Sequence, residues 1–203
     1  DHRDLHSFPT RRSSDLAQGY AQKIETLLAL YPWEIQLTQL NLLSSHDVAR
    51  ALTVIDDDQR SFELAVLLQM TFPGAPSIYY GDEVGLAGAH DPDCRRSFPS
   101  EASWNRTLLT LHKDLIALRR QHPVLCTGAY QTVAAVGEVY GFSRSNDREK
   151  IMVVINAGQD QGQVTLPELG DGALVLWGDS RVLRMSNEVS LPPRSGVIIK
   201  MSA

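Results

Sequence analysis

The 203-residue chain has only two cysteines, Cys94 and Cys126, and neither belongs to a CxxC pair. Two cysteines exclude a disulfide framework. Both are expected to be reduced thiols in a cytosolic-type, cytoplasmic protein, with a single Cys94–Cys126 disulfide left open. No apolar run approaches the roughly 20 residues needed to cross a bilayer, so no membrane partner is expected. Basic residues are not in excess: 19 Lys and Arg stand against 24 Asp and Glu, a formal net charge of −5. That balance argues against a nucleic-acid partner, whose phosphates need a concentrated basic patch. No internal repeat or low-complexity tract is visible. What is present, 43% hydrophobic and 21% charged residues, is ordinary for a globular protein of one large or two small domains.

The opening DHRDLHSFPTRRSSDL has neither apolar periodicity nor the apolar stretch of a signal peptide. It resembles the in-frame translation of a common sequencing adapter. Asp1–Leu16 is therefore expected to be an assembly artefact, with the chain beginning where a read began. From Ala17 the pattern is regular. Ala17–Tyr31 predicts a helix, with Tyr20, Ile24, Leu27, Leu28 and Tyr31 at 3–4 spacing, ended by Pro32. Ile35–Leu43 is a short apolar run of the kind parallel strands buried on both faces show. Asp58–Met70 predicts a second helix, with acids at its start. The breaker-rich connector Thr71–Pro76 leads to a strand at Ser77–Tyr80. Val84–Ser100 is a long loop, and such loops are more often functional than idle. Glu101–Gln121 predicts a third helix, with Trp104, Leu108, Leu111, Leu115 and Leu118 on one stripe.

At Pro123 the pattern changes to short β-rich runs: Tyr130–Val136, Val139–Ser143, Ile151–Ile155, Gln163–Leu166, Leu174–Trp177 and Gly196–Met201. Turn residues separate them at roughly 8–12 residue spacing, which predicts an antiparallel sandwich. The division is thus 1–16 artefact, 17–122 α/β and 123–203 all-β.

Polar clusters follow both α/β strands, where a parallel barrel carries its chemistry. The first is Asn41-Leu42-Leu43-Ser44-Ser45-His46-Asp47-Val48-Ala49-Arg50. The second runs from Gly74 through Tyr79-Tyr80-Gly81-Asp82-Glu83, followed by Asp91-Pro92-Asp93-Cys94-Arg95. Taken alone, a His-Asp pair is most often a turn or a helix cap. Arg50 is expected to be a salt-bridge partner in the barrel wall rather than a substrate contact. Asp56-Asp57-Asp58 is expected to be a solvated loop plus a helix cap rather than a calcium site. Nothing singles out His90.

In this order and spacing the clusters resemble the α-amylase family of glycoside hydrolases. His46-Asp47 is similar to the family's strand-end His-Asp pair, and Gly74–Glu83 to its G-x-P-x-x-Y-Y-G-x-E segment. Asp91–Arg95 is similar to the D-P-x-C-R loop of the neopullulanase, cyclomaltodextrinase and maltogenic-amylase branch. The resemblance implies the C-terminal portion of a TIM (β/α)8 barrel, its last two strands and their helices, followed by an all-β domain. It implies a retaining hydrolase of α-1,4 or α-1,6 bonds in maltodextrins, cyclodextrins or pullulan. Asp47 would be the carboxylate that stabilises the transition state, and His46 and Arg95 would contact the sugar. Tyr79, Tyr80, Asp82 and Glu83 match supporting positions.

The family's nucleophile and acid/base follow the fourth and fifth barrel strands, so the fragment itself is expected to be inactive. No cofactor is implied, and calcium is a question for the parent protein. The branch often dimerises through an N-terminal domain, which makes a homodimeric parent an expectation. Where this chain has Ser100-Glu101 the branch usually has Trp-Asp, which removes a usual guide to substrate preference. Alternatives are an oligo-1,6-glucosidase or glucosyltransferase of the same family, or a non-catalytic carbohydrate-binding β-module using Tyr130, Tyr140 and Trp177.

Overall fold

A computed structural model describes residues 16–179 and 181–202. All but Leu16 of the adapter-like segment lies outside them. In chain order the elements are α1 (Leu16–Leu28), α2 (Trp33–Gln36), β1 (Leu40–Leu42), α3 (Ala51–Val54), α4 (Gln59–Thr71), β2 (Ala75–Ser77), α5 (Arg106–Gln121) and α6 (Val124–Thr127). Eight strands follow: β3 (Ala129–Val136), β4 (Val139–Ser145), β5 (Lys150–Asn156), β6 (Gly162–Thr165), β7 (Leu174–Gly178), β8 (Leu183–Met185), β9 (Glu188–Leu191) and β10 (Ser195–Lys200). The described residues group into two compact units, 31–130 with 144–151, and 16–30, 131–143 and 152–202.

The first unit is α/β. β1 and β2 pair in parallel, with Leu40 opposite Ala75 and Leu42 opposite Ser77. α4 and α5 pack together, and Phe62, Val66 and Met70 on the first and Leu108 and Leu115 on the second are all essentially inaccessible. Each helix start is capped. The Asp58 carboxylate accepts from the Arg60 and Ser61 amides at 3.1 and 3.2 Å. The Asn105 carbonyl oxygen accepts from the Leu108 amide at 3.1 Å, while its amide nitrogen donates to Gln59 at 2.8 Å, joining the two helix starts. Asp58→Ala is expected to lower stability by about 1 kcal/mol, read as a shift of the denaturant midpoint. Gln69, buried on α4, donates to the carbonyls of Asn41 and Ser77 at 2.9 Å each, so one amide ties both strands to the helix.

Both strands are shorter than the sequence predicts. Instead of Ile35–Leu43, Trp33–Gln36 forms a helical turn behind Pro32, whose fixed φ suits a helix start. Only Leu40–Leu42 is extended. Its leucines are exposed, because among the described residues β1 has a single hydrogen-bonded neighbour. Instead of Ser77–Tyr80, β2 is Ala75–Ser77. The chain then turns at Gly81, whose φ of +90° suits glycine and where a Cβ would lie 2.7 Å from Leu86. The third helix begins at Arg106 rather than Glu101, which leaves Trp104 in the preceding loop.

The second unit holds most of two sheets, ordered β3-β4-β5-β10-β7 and β6-β9-β8. The β10–β7, β6–β9 and β8–β9 pairs are antiparallel. Met152, Val154, Val197 and Ile199 alternate along one sheet and meet Val164, Val189 and Leu191 of the other in a common core, the interior of a sandwich. The β8–β9 hairpin turns at Ser186, with φ of 53°, and the sequence reading missed both of its strands. Helix α1 groups with this unit: the Ala17 amide donates to the Gly137 carbonyl at 3.0 Å, and Tyr20 packs edge-on to Tyr140 at 5.0 Å. Both cysteines are free thiols. Among the described residues no helix is long and apolar enough to cross a membrane.

Candidate active site

Because β1 and β2 are parallel, the segments after them leave the pair on the same side, the C-terminal side. The two segments are joined by a buried polar group. Ser44, just beyond β1, accepts from the Ala51 amide at 3.0 Å and donates to the Asp82 carboxylate. Arg50, wholly inaccessible, places Nη1 2.9 Å from Asp82 Oδ1 and donates to the Tyr80 carbonyl at 2.8 Å and, from Nε, to the Cys94 carbonyl at 3.1 Å. Its guanidinium carbon lies 4.5 and 4.9 Å from the ring centres of Tyr79 and Tyr80. The delocalised, weakly hydrated guanidinium is the cation best suited to such a place. Burial pushes the Asp82 carboxyl above its usual range, and the Ser44 hydroxyl and Arg50 guanidinium pull it part of the way back.

In front of this group stand His46 and Asp47, with side chains 64% and 70% exposed. His46 Nε2 is 3.3 Å from Asp47 Oδ1. The Asp47 amide donates to Ser45 Oγ at 3.2 Å. Arg95, half exposed, donates from Nε to the His46 carbonyl at 3.1 Å and pairs with Asp91 at 2.8 Å. The fold therefore brings Arg95 to the backbone of His46, while the Asp47 carboxylate keeps an open face. Such a face suits hydrogen bonding to sugar hydroxyls. The Tyr80 hydroxyl donates to the Arg96 carbonyl at 2.7 Å, fixing the tyrosine as wall.

The loop that follows also carries an aromatic pair. Phe98 and Trp104 meet edge to face at 5.7 Å, and Trp104 donates to the Pro99 carbonyl at 2.9 Å. Placing Trp104 on a helix stripe hid this from the sequence reading. Arg50 is the wall salt-bridge partner expected from the sequence, and its carboxylate is Asp82, which by resemblance matches a supporting position. Asp56 and Asp57 take left-handed φ values of 55° and 57° ahead of the Asp58 cap, as a turn does. Among the described residues no cluster of three or more His, Cys, Asp or Glu could hold a metal ion.

A parallel β/α unit with its polar groups beyond the strand C-termini, together with a β-sandwich, defines the class: the C-terminal portion of a (β/α)8 barrel and a β domain. The model of the α-amylase catalytic domain matches residues 1–107. A cyclomaltodextrinase of Thermoanaerobacter pseudethanolicus is 36% identical over 82% of this chain and 29% of its own. Neopullulanase 2 of Thermoactinomyces vulgaris is 39% identical over 76% of this chain and 27% of its own. The native form of a debranching enzyme of Nostoc punctiforme superposes with a TM-score of 0.83 at 46% identity, covering 90% of this chain and 40% of that one. The chain belongs to the α-amylase family. It spans under a third of the length of those two curated relatives.

Proposed function

We propose that the chain is part of a retaining hydrolase of α-1,4 glucosidic bonds in maltodextrins, cyclodextrins or pullulan, and that Asp47 is one of its three site carboxylates. The observation that carries this reading is the place of His46-Asp47: solvent-facing, just past the C-terminal end of a parallel strand, backed by a buried ion pair. Asp47 would accept from hydroxyls of the sugar being cleaved, hydrogen bonds that strengthen as the ring gains oxocarbenium character. His46 would donate to the same sugar, and Arg95 would hold the loop beside it. Cleavage of α-1,6 bonds is the second reading, favoured by the similarity to a protein named as a debranching enzyme. In this reading 17–122 belongs to the barrel and 123–203 is the β domain, and homodimerisation is an expectation for the whole protein.

Retention requires a nucleophile and an acid/base about 5–5.5 Å apart. By resemblance, both would lie on strands other than β1 and β2. The full-length protein is expected to cleave maltodextrin and release the α-anomer first, followed by proton NMR of the fresh products. Release of the β-anomer, or no cleavage of any α-glucan, would defeat the proposal. The 203-residue chain alone is expected to turn over neither maltodextrin nor cyclodextrin, and turnover by a purified single species would refute that part.

A further inference from the structure

Asp47 is the exposed carboxylate on which the proposed reading rests, yet among the described residues its carboxylate pairs with His46 alone. Site groups must be held to within about 0.5 Å of their productive geometry. What holds this one lies behind it. Arg50, three residues on, is anchored by its own amide to the Gly88 carbonyl at 2.9 Å. Its guanidinium fork spans two further segments, the carbonyl of Tyr80 with the carboxylate of Asp82, and the carbonyl of Cys94. From Cys94 the tie returns to the site. The buried Cys94 thiol donates to the His46 carbonyl at 3.4 Å, and the neighbouring Arg95 donates to the same oxygen at 3.1 Å. The His46-Asp47 backbone is thus fixed on one side by its short connection to Arg50 and on the other by the loop that Arg50 holds.

We infer that Arg50 is a positioning residue for Asp47, setting the backbone of the His46-Asp47 segment through its simultaneous bonds to Cys94, Tyr80 and Asp82. This rests on the reading of Asp47 given above. The role needs the planar fork and not merely a positive charge. A lysine would still neutralise Asp82, but a single ammonium cannot reach all three partners with the same geometry. It would leave the Cys94 carbonyl free and the loop loose.

The test uses the full-length protein carrying Arg50→Lys, Asp82→Asn or Asp47→Asn. Kinetics on maltodextrin are normalised by active-site titration, and labelling of Cys94 by a thiol reagent is followed on its own peptide by mass spectrometry. Arg50→Lys is expected to fold, to lose kcat by about 10- to 100-fold with KM little changed, and to label faster at Cys94. Asp82→Asn should move in the same direction. A purely structural role would lower the active fraction and leave kcat per active site intact. Wild-type kcat in folded Arg50→Lys overturns the inference. Failure of both Arg50→Lys and Asp82→Asn to fold overturns it as well, since the pair would then hold the fold and not the segment. Full activity of Asp47→Asn defeats the underlying reading instead, and so separates the two failures.

Discussion

Asp47→Asn in the full-length protein is expected to lower kcat by about 10²- to 10³-fold, equivalent to about 3–4 kcal/mol of transition-state stabilisation. The amide matches the carboxylate in shape but carries no charge opposite the developing oxocarbenium ion. It also replaces one acceptor oxygen with a donor. Stability should hardly move, because the side chain is 70% exposed and its partner among the described residues, His46, is 64% exposed. Exposed substitutions of this kind stay within about 0.5 kcal/mol. Paired kinetics on maltodextrin and thermal unfolding check both halves. A fully active variant with unchanged unfolding would remove Asp47 from the site. An inactive variant that has also lost its fold would mean that the exposed carboxylate has a structural task its open face does not suggest.

The helices were legible because their signals are local. The 3–4 spacing of apolar residues marks α1, α4 and α5, and the acid at Asp58 marks a cap that the side chain then makes. The β-rich runs were legible for the same reason, except β8 and β9. β8 is three residues long and falls in a stretch where no apolar alternation builds up. Strand lengths in the α/β unit were overestimated because apolar residues around Pro32 and Gly81 are shared with a helical turn and a left-handed turn, which hydropathy alone does not separate. The site was half legible. Residue types alone leave His46-Asp47 a turn, and only the three ordered motifs lift it to a candidate site. Arg50 invited a salt-bridge reading, but its partner lies 32 residues away, and no sequence period links such a pair. Gln69 falls inside the helix predicted over Asp58–Met70, and only the fold shows that its amide holds both strands.

Arg144→Met is expected to cost about 3 kcal/mol of stability, although it removes an ion that has no carboxylate partner among the described residues. Arg144 is wholly buried. It donates to the carbonyls of Thr71 and Leu125 at 2.8 Å each and of Gly128 at 2.9 Å. Arg119 donates to the carbonyls of Met70 and Gly74 at 2.7 and 2.6 Å, and to that of Phe72 at 3.3 Å. Between them the two guanidiniums satisfy the end of α4 and the connector to β2, where the helix dipole favours positive charge. Two effects oppose each other. Burial, with repulsion from Arg119, pushes the Arg144 guanidinium down to about 10, so it stays protonated at neutral pH but at a cost that methionine would relieve. Methionine would also strand three buried carbonyls, each costing about 1–3 kcal/mol. The carbonyls should win, because the side chain that replaces the fork offers no donor. Chemical denaturation of the full-length protein decides it: a variant as stable as wild type would show that relief of the buried charge dominates. The double variant with Arg119→Met should be non-additive, since both arginines hold the segment 70–74. That segment ends at Gly74, where φ is +108° and a Cβ would lie 2.7 Å from the Gln39 carbonyl oxygen. Slack there passes directly into β2 and from it to Tyr80 and Asp82, the groups Arg50 grips behind Asp47.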